Sequence, residues 1–204
     1  MGVYTEYLDN LAFQDFRLLT QERKKQLQRI SELRGGRDVL VFAADQSNSN
    51  LIGNMASISY PDILPITDQL SVLKGQHLDL IIETPGGVGE VTEGIVGLIR
   101  KKYENFAVIV PGWAKSAGTI LAMAADEILM GQTSALGPID AQLAWQGKQF
   151  SAHALLAGVD KIKDEVQKTG ILNKAYVPML QTLSPGELEH ASNALAFATK
   201  LVTQ

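Results

Sequence analysis

Short apolar runs alternate with helical stretches along the middle of the chain, and this alternation most constrains its fold. The runs read DVLVFAAD, HLDLIIET, NFAVIVPG and EILMG. The stretches between them carry apolar residues at helical spacing, as the crossover connections of parallel strands require. We therefore predict an α/β fold with a largely parallel sheet.

Helical segments flank this predicted core on both sides. Residues 5–34 have apolar positions at helical spacing, and two glycines follow them. Ser184 with Glu187 three positions later is typical of a capping box at the start of a last helix. We predict one domain over residues 1–204, with an N-terminal helical arm (1–36), a β-β-α core (37–150) and C-terminal helices (151–204).

Composition excludes several classes of function. The chain has 204 residues, a net charge of −4 and no cysteine. The negative charge argues against phosphate-driven nucleic-acid binding, and the lack of cysteine excludes disulfides and a thiol nucleophile. No apolar stretch approaches the roughly 20 residues of a membrane helix, and no secretion signal opens the sequence. We expect a cytoplasmic protein with no integral membrane segment, no metal and no cofactor.

Two turns of small residues follow neighbouring predicted strands. One reads ETPGG and ends at Gly87, and the other reads AKSAGT and contains Ser116. The carboxyl ends of parallel strands are where α/β proteins gather their chemistry. Without a side chain, Gly87 can bring its backbone N–H close to a ligand carbonyl, as half of an oxyanion hole. The spacing fits neither a dinucleotide fingerprint nor a Walker A loop.

Ser116 has two interpretations on local sequence alone. A serine between a strand and a helix is most often a helix N-cap. However, the small residues that follow leave room for another backbone segment to come close. The N–H of Ala117 would also face a developing negative charge at the start of the helix. The turn resembles a nucleophile elbow, although Ala114 stands where G-x-S-x-G has its first glycine.

A nucleophilic serine needs a base, and the sequence offers no obvious one. His77 and His190 are expected far from the two turns, and only His153 could fold back over them. Lysines follow on the next helix. Lys163 borders an apolar stripe there, which is also typical of a surface lysine whose stem packs on apolar neighbours. Lys115, beside the serine, is poorly aimed.

In chain order, the motifs IIETPGG, AVIVPGWAKSAGT and AADEILMGQTSALGPI, followed by a lysine-bearing helix, resemble the ClpP/crotonase superfamily. The similarity is greater to its SppA-like (signal peptide peptidase) and serine dehydrogenase proteinase branch, and covers about residues 38–170. This resemblance implies a ClpP/crotonase-like spiral of β-β-α units. It also implies serine peptidase activity, a Ser-Lys dyad and a homo-oligomer.

Matching the motifs residue by residue, the resemblance implies Ser116 as nucleophile and the N–H groups of Gly87 and Ala117 as oxyanion donors. IKDEVQKTG matches the base-bearing helix of the branch and selects Lys163, with Lys161 as the fallback. Supporting roles are expected for Gly86, Thr133 and Ser134. Because GPIDAQ holds no histidine, the chain departs from the Ser-His-Asp pattern of ATP-dependent ClpP. We expect ATP-independent cleavage of peptide or unfolded-protein substrates.

Two alternatives remain open. A crotonase-like acyl-CoA enzyme would use the same backbone donors, but with an acid/base carboxylate such as Glu90 or Asp140. A non-catalytic oligomeric scaffold would keep the fold alone. A serine at the nucleophile turn argues against the acyl-CoA enzyme, and the intact set of Ser116, Gly87 and Lys163 argues against the scaffold.

Overall fold

A computed structural model of the chain describes residues 16–44, 57–145 and 148–203. The α-helices are α1 (Phe16–Leu33), α2 (Ile63–Val72), α3 (Gly89–Lys102), α4 (Ala117–Met123), α5 (Ala152–Thr169), α6 (Val177–Gln181) and α7 (Pro185–Thr203). The strands are β1 (Asp38–Ala43), β2 (His77–Glu83), β3 (Asn105–Val110), β4 (Trp113–Ala114), β5 (Glu127–Met130), β6 (Ala135–Leu136), β7 (Gln142–Trp145) and β8 (Lys148–Ser151). Short 3-10 helices precede α2 (Tyr60–Asp62) and α6 (Lys174–Tyr176).

The main sheet is parallel, in the order β1-β2-β3-β5. Its strands are the four apolar runs of the sequence. The central strands β2 and β3 are mostly buried, as expected where helices cover a parallel sheet on both faces. The large side chains of the core come from these strands and from α2 and α3. Among those fully buried are Leu80, Ile82, Ile95, Ile99 and Phe106. The predicted α/β fold is confirmed.

A second, shorter parallel ladder runs beside the main sheet. Ile58 bridges Gly87, Thr84 bridges Ala114, and β4 pairs with β6. Each long strand is therefore followed by a short extended segment before the next helix, as in β2, the Thr84 to Gly87 segment and α3. This repeat is the spiral of β-β-α units that the family resemblance implies. It lines up both glycine-containing turns on one edge.

Helix α1 joins the sheet through a buried carboxylate. The side chain of Asp79 in β2 is fully buried and accepts hydrogen bonds from the guanidinium groups of Arg34 and Arg37. Arg34 also pairs with Glu127 of β5 at 2.6 Å, and Arg37 donates to the Asn105 side chain at 2.9 Å. These residues lie at the amino ends of the strands. The cluster thus anchors α1 at the edge opposite the two turns.

We expect the Asp79→Asn variant to lose about 3 kcal/mol of unfolding free energy, because two guanidinium groups would lose their buried counter-charge. Urea unfolding followed by circular dichroism measures the loss. Lys25→Ala is the matched control, since Lys25 pairs with Glu22 on the exposed face of α1 at 3.7 Å. That exposed pair should contribute less than about 1 kcal/mol. Equal losses in both variants would contradict a structural role for the cluster.

The C-terminal segments form a smaller apolar cluster of their own. The hairpin β7–β8 leads into α5, and α7 packs against α5 around Leu143, Ala152 and Ala191. The capping box at the start of α7 is confirmed, because the Glu187 carboxylate accepts from the Ser184 N–H and the Ser184 hydroxyl accepts from the Glu187 N–H. The part of the predicted N-terminal helix before residue 16 lies outside the described residues.

The segment NKAYVPMLQTL has a helical pattern of apolar residues in the sequence, but only part of it is α-helical in the structure. It forms a 3-10 turn at Lys174–Tyr176 and then α6. Pro178 explains the break, because proline is tolerated only in the first turn of an α-helix. Across the described residues, no helix combines the length and apolarity that a membrane span requires.

Candidate active site

The two glycine-containing turns meet at the carboxyl edge of the sheet. A Cβ atom added at Gly86 would lie 2.8 Å from Ser116 Cβ and 3.4 Å from Ser116 Oγ. Gly86 has φ +116°, a backbone conformation that glycine adopts readily and other residues rarely do. The ETPGG turn therefore passes directly over the serine, and only a glycine at position 86 permits this approach.

Ser116 has a strained backbone. Its φ of 49° and ψ of −117° make it the one non-glycine residue with positive φ in the part of the chain that the structure describes. It occupies the N-cap position of α4, but its hydroxyl makes no capping hydrogen bond. Strain of this kind costs about 1–3 kcal/mol and concentrates at functional sites. A strained serine between strand and helix, with its hydroxyl free of the cap, is the arrangement of a nucleophile elbow.

Gly87 is held against the backbone of Ile58. The Ile58 N–H donates to Gly86 O at 2.7 Å, and the Val88 N–H donates to Ile58 O at 2.9 Å. A Cβ atom at Gly87 would lie 2.2 Å from Ile58 O, so no side chain fits there. Between these two bonds, the N–H of Gly87 has no acceptor among the described residues. This leaves the donor available to a bound carbonyl.

Ala117 supplies a second unpaired donor at the start of α4. The N–H groups that follow it are occupied, since Gly118 donates to Lys115 O at 2.8 Å and Thr119 donates to Ser116 O at 2.9 Å. The Ala117 N–H has no acceptor within the described ranges. Gly87 and Ala117 thus flank Ser116, one from the turn beside it and one from the next position in the chain. Two such donors can stabilise an oxyanion formed at the serine.

Two buried threonines, not singled out from the sequence, fix the turns. Thr84 Oγ1 is 3.1 Å from Gly86 N, and Thr119 Oγ1 is 2.7 Å from Ala114 O and 3.1 Å from Gly137 N. Thr119 thereby ties the nucleophile turn to the segment after β6. Each threonine lies in one of the two turn motifs, Thr84 in ETPGG and Thr119 in AKSAGT. However, a threonine next to a strand looks ordinary without its contacts.

The structure does not bring Lys163 to Ser116. Its amine lies 3.1 Å from the Asp160 carboxylate on the same face of α5, and 65% of its side chain is exposed. The fallback base, Lys161, is also exposed on α5. Of the expected supporting residues, Thr133 is exposed, whereas the Ser134 hydroxyl accepts from Gly131 N–H at 2.8 Å and donates to Val110 O. Gly86 is the one that touches Ser116.

The other candidate acids and bases have no recorded contact with Ser116 among the described residues. Glu90 accepts the Tyr60 hydroxyl at 2.8 Å, and this hydrogen bond raises the pKa of Tyr60 above its ordinary value. Asp140 accepts the Ser151 hydroxyl at 2.8 Å, at the start of α5. The three histidines are all exposed. No group of three or more His, Asp or Glu side chains among the described residues is arranged to hold a metal ion.

Comparison with known families identifies the family of the chain. The model of the ClpP-like SDH-type serine proteinases matches residues 11–177. The chain belongs to this family. The match spans both turns, Ser116 and the helix that carries Lys163, so the resemblance noted from the motifs is confirmed.

Two curated relatives come from Methanocaldococcus jannaschii and are described as uncharacterized proteins. MJ1495 is 36% identical over 92 residues, or 43% of this chain and 30% of that protein. MJ0137 is 34% identical over 113 residues, or 53% of this chain and 38% of that protein. The chain thus matches only about a third of each relative's length.

Among solved structures, the chain is similar to a serine-to-alanine mutant of the 1510-N membrane-bound stomatin-specific protease. The identity is 18% and the TM-score is 0.43, over 80% of this chain and 70% of that one.

Proposed function

We propose that this chain is a serine peptidase that cleaves peptide bonds through an acyl-enzyme on Ser116. The observation that carries the proposal is the meeting of the two turns. There, a serine with φ 49° lies against Gly86, and the N–H groups of Gly87 and Ala117 are free. Family membership supports a proteinase over other uses of the same fold.

In the proposed reaction, Ser116 Oγ attacks the carbonyl carbon of a peptide bond while a neutral lysine takes the hydroxyl proton. The carbonyl oxygen becomes an oxyanion and accepts from Gly87 N–H and Ala117 N–H. The C–N bond then breaks, and the leaving amine takes the proton from the lysine. Water, deprotonated by the same lysine, attacks the acyl carbon. The ester bond to Ser116 Oγ then breaks, and the lysine returns the proton to that oxygen. We propose that substrate binds in extended form as a strand added beside the PGGVGE turn.

Lys163 is the proposed base. The support is its place in the family resemblance, within IKDEVQKTG, and its position on the helix that follows the core. Its partner in the described chain is Asp160. Acting as the base therefore requires the amine to exchange this carboxylate for the Ser116 hydroxyl when the site is assembled. Assembly as a homo-oligomer, which the resemblance implies, is open to measurement by light scattering.

We expect the Lys163→Ala variant to lose peptide hydrolysis by at least about 100-fold, the usual contribution of general acid–base catalysis. Hydrolysis of fluorescently labelled casein measures the loss. Lys161→Ala and Lys168→Ala, on the same helix, are the matched controls and should retain activity. If Lys163→Ala is as active as wild type and Lys161→Ala is not, the fallback base is the correct one.

The competing crotonase-like function predicts a different ligand. A fluorophosphonate probe forms a covalent bond with an activated serine, whereas an acyl-CoA enzyme binds coenzyme A. We expect the probe to label the wild-type chain at Ser116, as mapped by mass spectrometry of tryptic peptides. Binding of coenzyme A without labelling would overturn the peptidase proposal. If the chain is not labelled and does not bind coenzyme A, the non-catalytic scaffold is favoured.

A further inference from the structure

We propose that Thr84 is the positioning residue that sets the distance between the Gly87 oxyanion donor and Ser116 Oγ. The inference rests on the proposed peptidase function. Thr84 does not touch the reacting atoms. It acts through the glycine turn, which it joins to the segment that carries the nucleophile.

The Thr84 hydroxyl holds the glycine turn from inside. Its oxygen lies 3.1 Å from Gly86 N and 3.2 Å from Gly86 O, and the residue is fully buried. Gly86 and Gly87 have φ of +116° and +149°, and glycine backbones sample many other conformations at little cost. A hydroxyl that accepts from the N–H of Gly86 selects one of these conformations. The N–H of Gly87 belongs to the same peptide unit as the carbonyl of Gly86, so the conformation of Gly86 sets the direction of this N–H.

The rest of Thr84 contacts the nucleophile segment. Its N–H donates to Trp113 O at 3.1 Å, and its carbonyl accepts from Lys115 N–H at 3.0 Å. Its methyl group packs over the first turn of α4, since a Cβ added at Gly118 would lie 2.4 Å from Thr84 Cγ2. One residue therefore reaches the turn that carries one oxyanion donor and the chain on either side of Ser116.

These two sets of contacts use different atoms, so they can be separated by mutation. Thr84→Val keeps the methyl group over Gly118 and removes the hydroxyl from Gly86. Thr84→Ser keeps the hydroxyl and removes the methyl group. If Thr84 positions the donor, reactivity should follow the hydroxyl. If Thr84 serves only to fill the core, reactivity should follow thermal stability.

The test measures the rate at which a fluorophosphonate probe labels Ser116, together with the thermal midpoint of each variant. We expect Thr84→Val to lower the rate constant of inactivation by about 10- to 100-fold with little change in the probe's apparent affinity, because a displaced donor weakens only the oxyanion-like state. Thr84→Ser should label within about threefold of wild type, even where its thermal midpoint is lower.

Thr92→Val is the matched control, because Thr92 is equally buried but its hydroxyl donates to the carbonyl of Val88, the N-cap residue of α3, at 3.1 Å. Its labelling rate should equal that of wild type. Labelling of Thr84→Val at the wild-type rate, or rates that follow thermal midpoints across the series, would overturn the positioning role alone. A wild-type chain that does not label at Ser116 would overturn the proposed function, and this inference with it.

Discussion

The Ser116→Ala variant should lose casein hydrolysis and fluorophosphonate labelling by at least about 10⁴-fold while keeping its fold. Removing the nucleophile of a serine hydrolase leaves only the contribution of the oxyanion donors and of substrate binding. Because the Ser116 hydroxyl makes no capping hydrogen bond, its removal should change the free energy of unfolding by less than about 0.5 kcal/mol. Labelling, hydrolysis and urea unfolding together measure these effects.

A further substitution at this position tests the strain separately from the chemistry. Ser116→Gly also lacks the hydroxyl, but glycine adopts φ 49° without penalty. We expect this variant to be as inactive as Ser116→Ala, yet about 1 kcal/mol more stable than wild type. Ser71→Ala, at an exposed serine of α2 that bonds Asp68 O, is the control for loss of a surface hydroxyl. Residual hydrolysis by Ser116→Ala, sensitive to the same probe, would place the nucleophile elsewhere.

Gly87→Ala should have the second-largest effect, because it alters both the fold and the oxyanion donor. The added methyl group would lie 2.2 Å from Ile58 O and 2.4 Å from Ile58 N, so the turn must move away from Ile58. We expect a labelling rate at Ser116 at least about 100-fold lower, since one donor leaves its position. The free energy of unfolding should fall by about 3 kcal/mol, from positive-φ strain and overpacking together.

The matched control for this prediction is Gly94→Ala on the exposed face of α3, just beyond the turn. A Cβ at Gly94 meets nothing within 4 Å. Alanine is favoured over glycine within a helix by about 1 kcal/mol, so this variant should be more stable than wild type and equally reactive. If Gly87→Ala were folded and labelled at the wild-type rate, its N–H could not be an oxyanion donor.

Local sequence was sufficient to predict those parts of the fold that depend on neighbours in the chain. The alternation of apolar runs predicted the parallel sheet, and Ser184 with Glu187 predicted the capping box, because both depend on residues a few positions apart. The two turns could be placed on one edge because parallel strands end together. That Gly86 lies against Ser116 follows from the same topology.

Other features depend on contacts between distant segments, which one sequence does not encode visibly. Thr84 in TPGG looks like any threonine at the end of a strand. In the structure its hydroxyl contacts Gly86 and its methyl group contacts Gly118. For Lys163, the sequence left two interpretations open, a surface lysine and a catalytic base, because a lysine beside an apolar stripe is typical of the first. A lysine at the border of an apolar stripe can face the core or the solvent. The packing of the helix decides between the two.

The cluster of Arg34, Arg37 and Asp79 lies at the amino ends of the strands, and Ser116 lies at their carboxyl ends. Strand β2 is seven residues long, which at about 3.3 Å per residue sets roughly 20 Å between the two edges. The two guanidinium groups are balanced by the carboxylates of Asp79 and Glu127, so the cluster has no net charge to act over this span. Rigidity and reactivity are therefore tunable as separate properties in this chain. Redesigning the charged edge alone should therefore change the stability of the chain without changing the surroundings of Ser116.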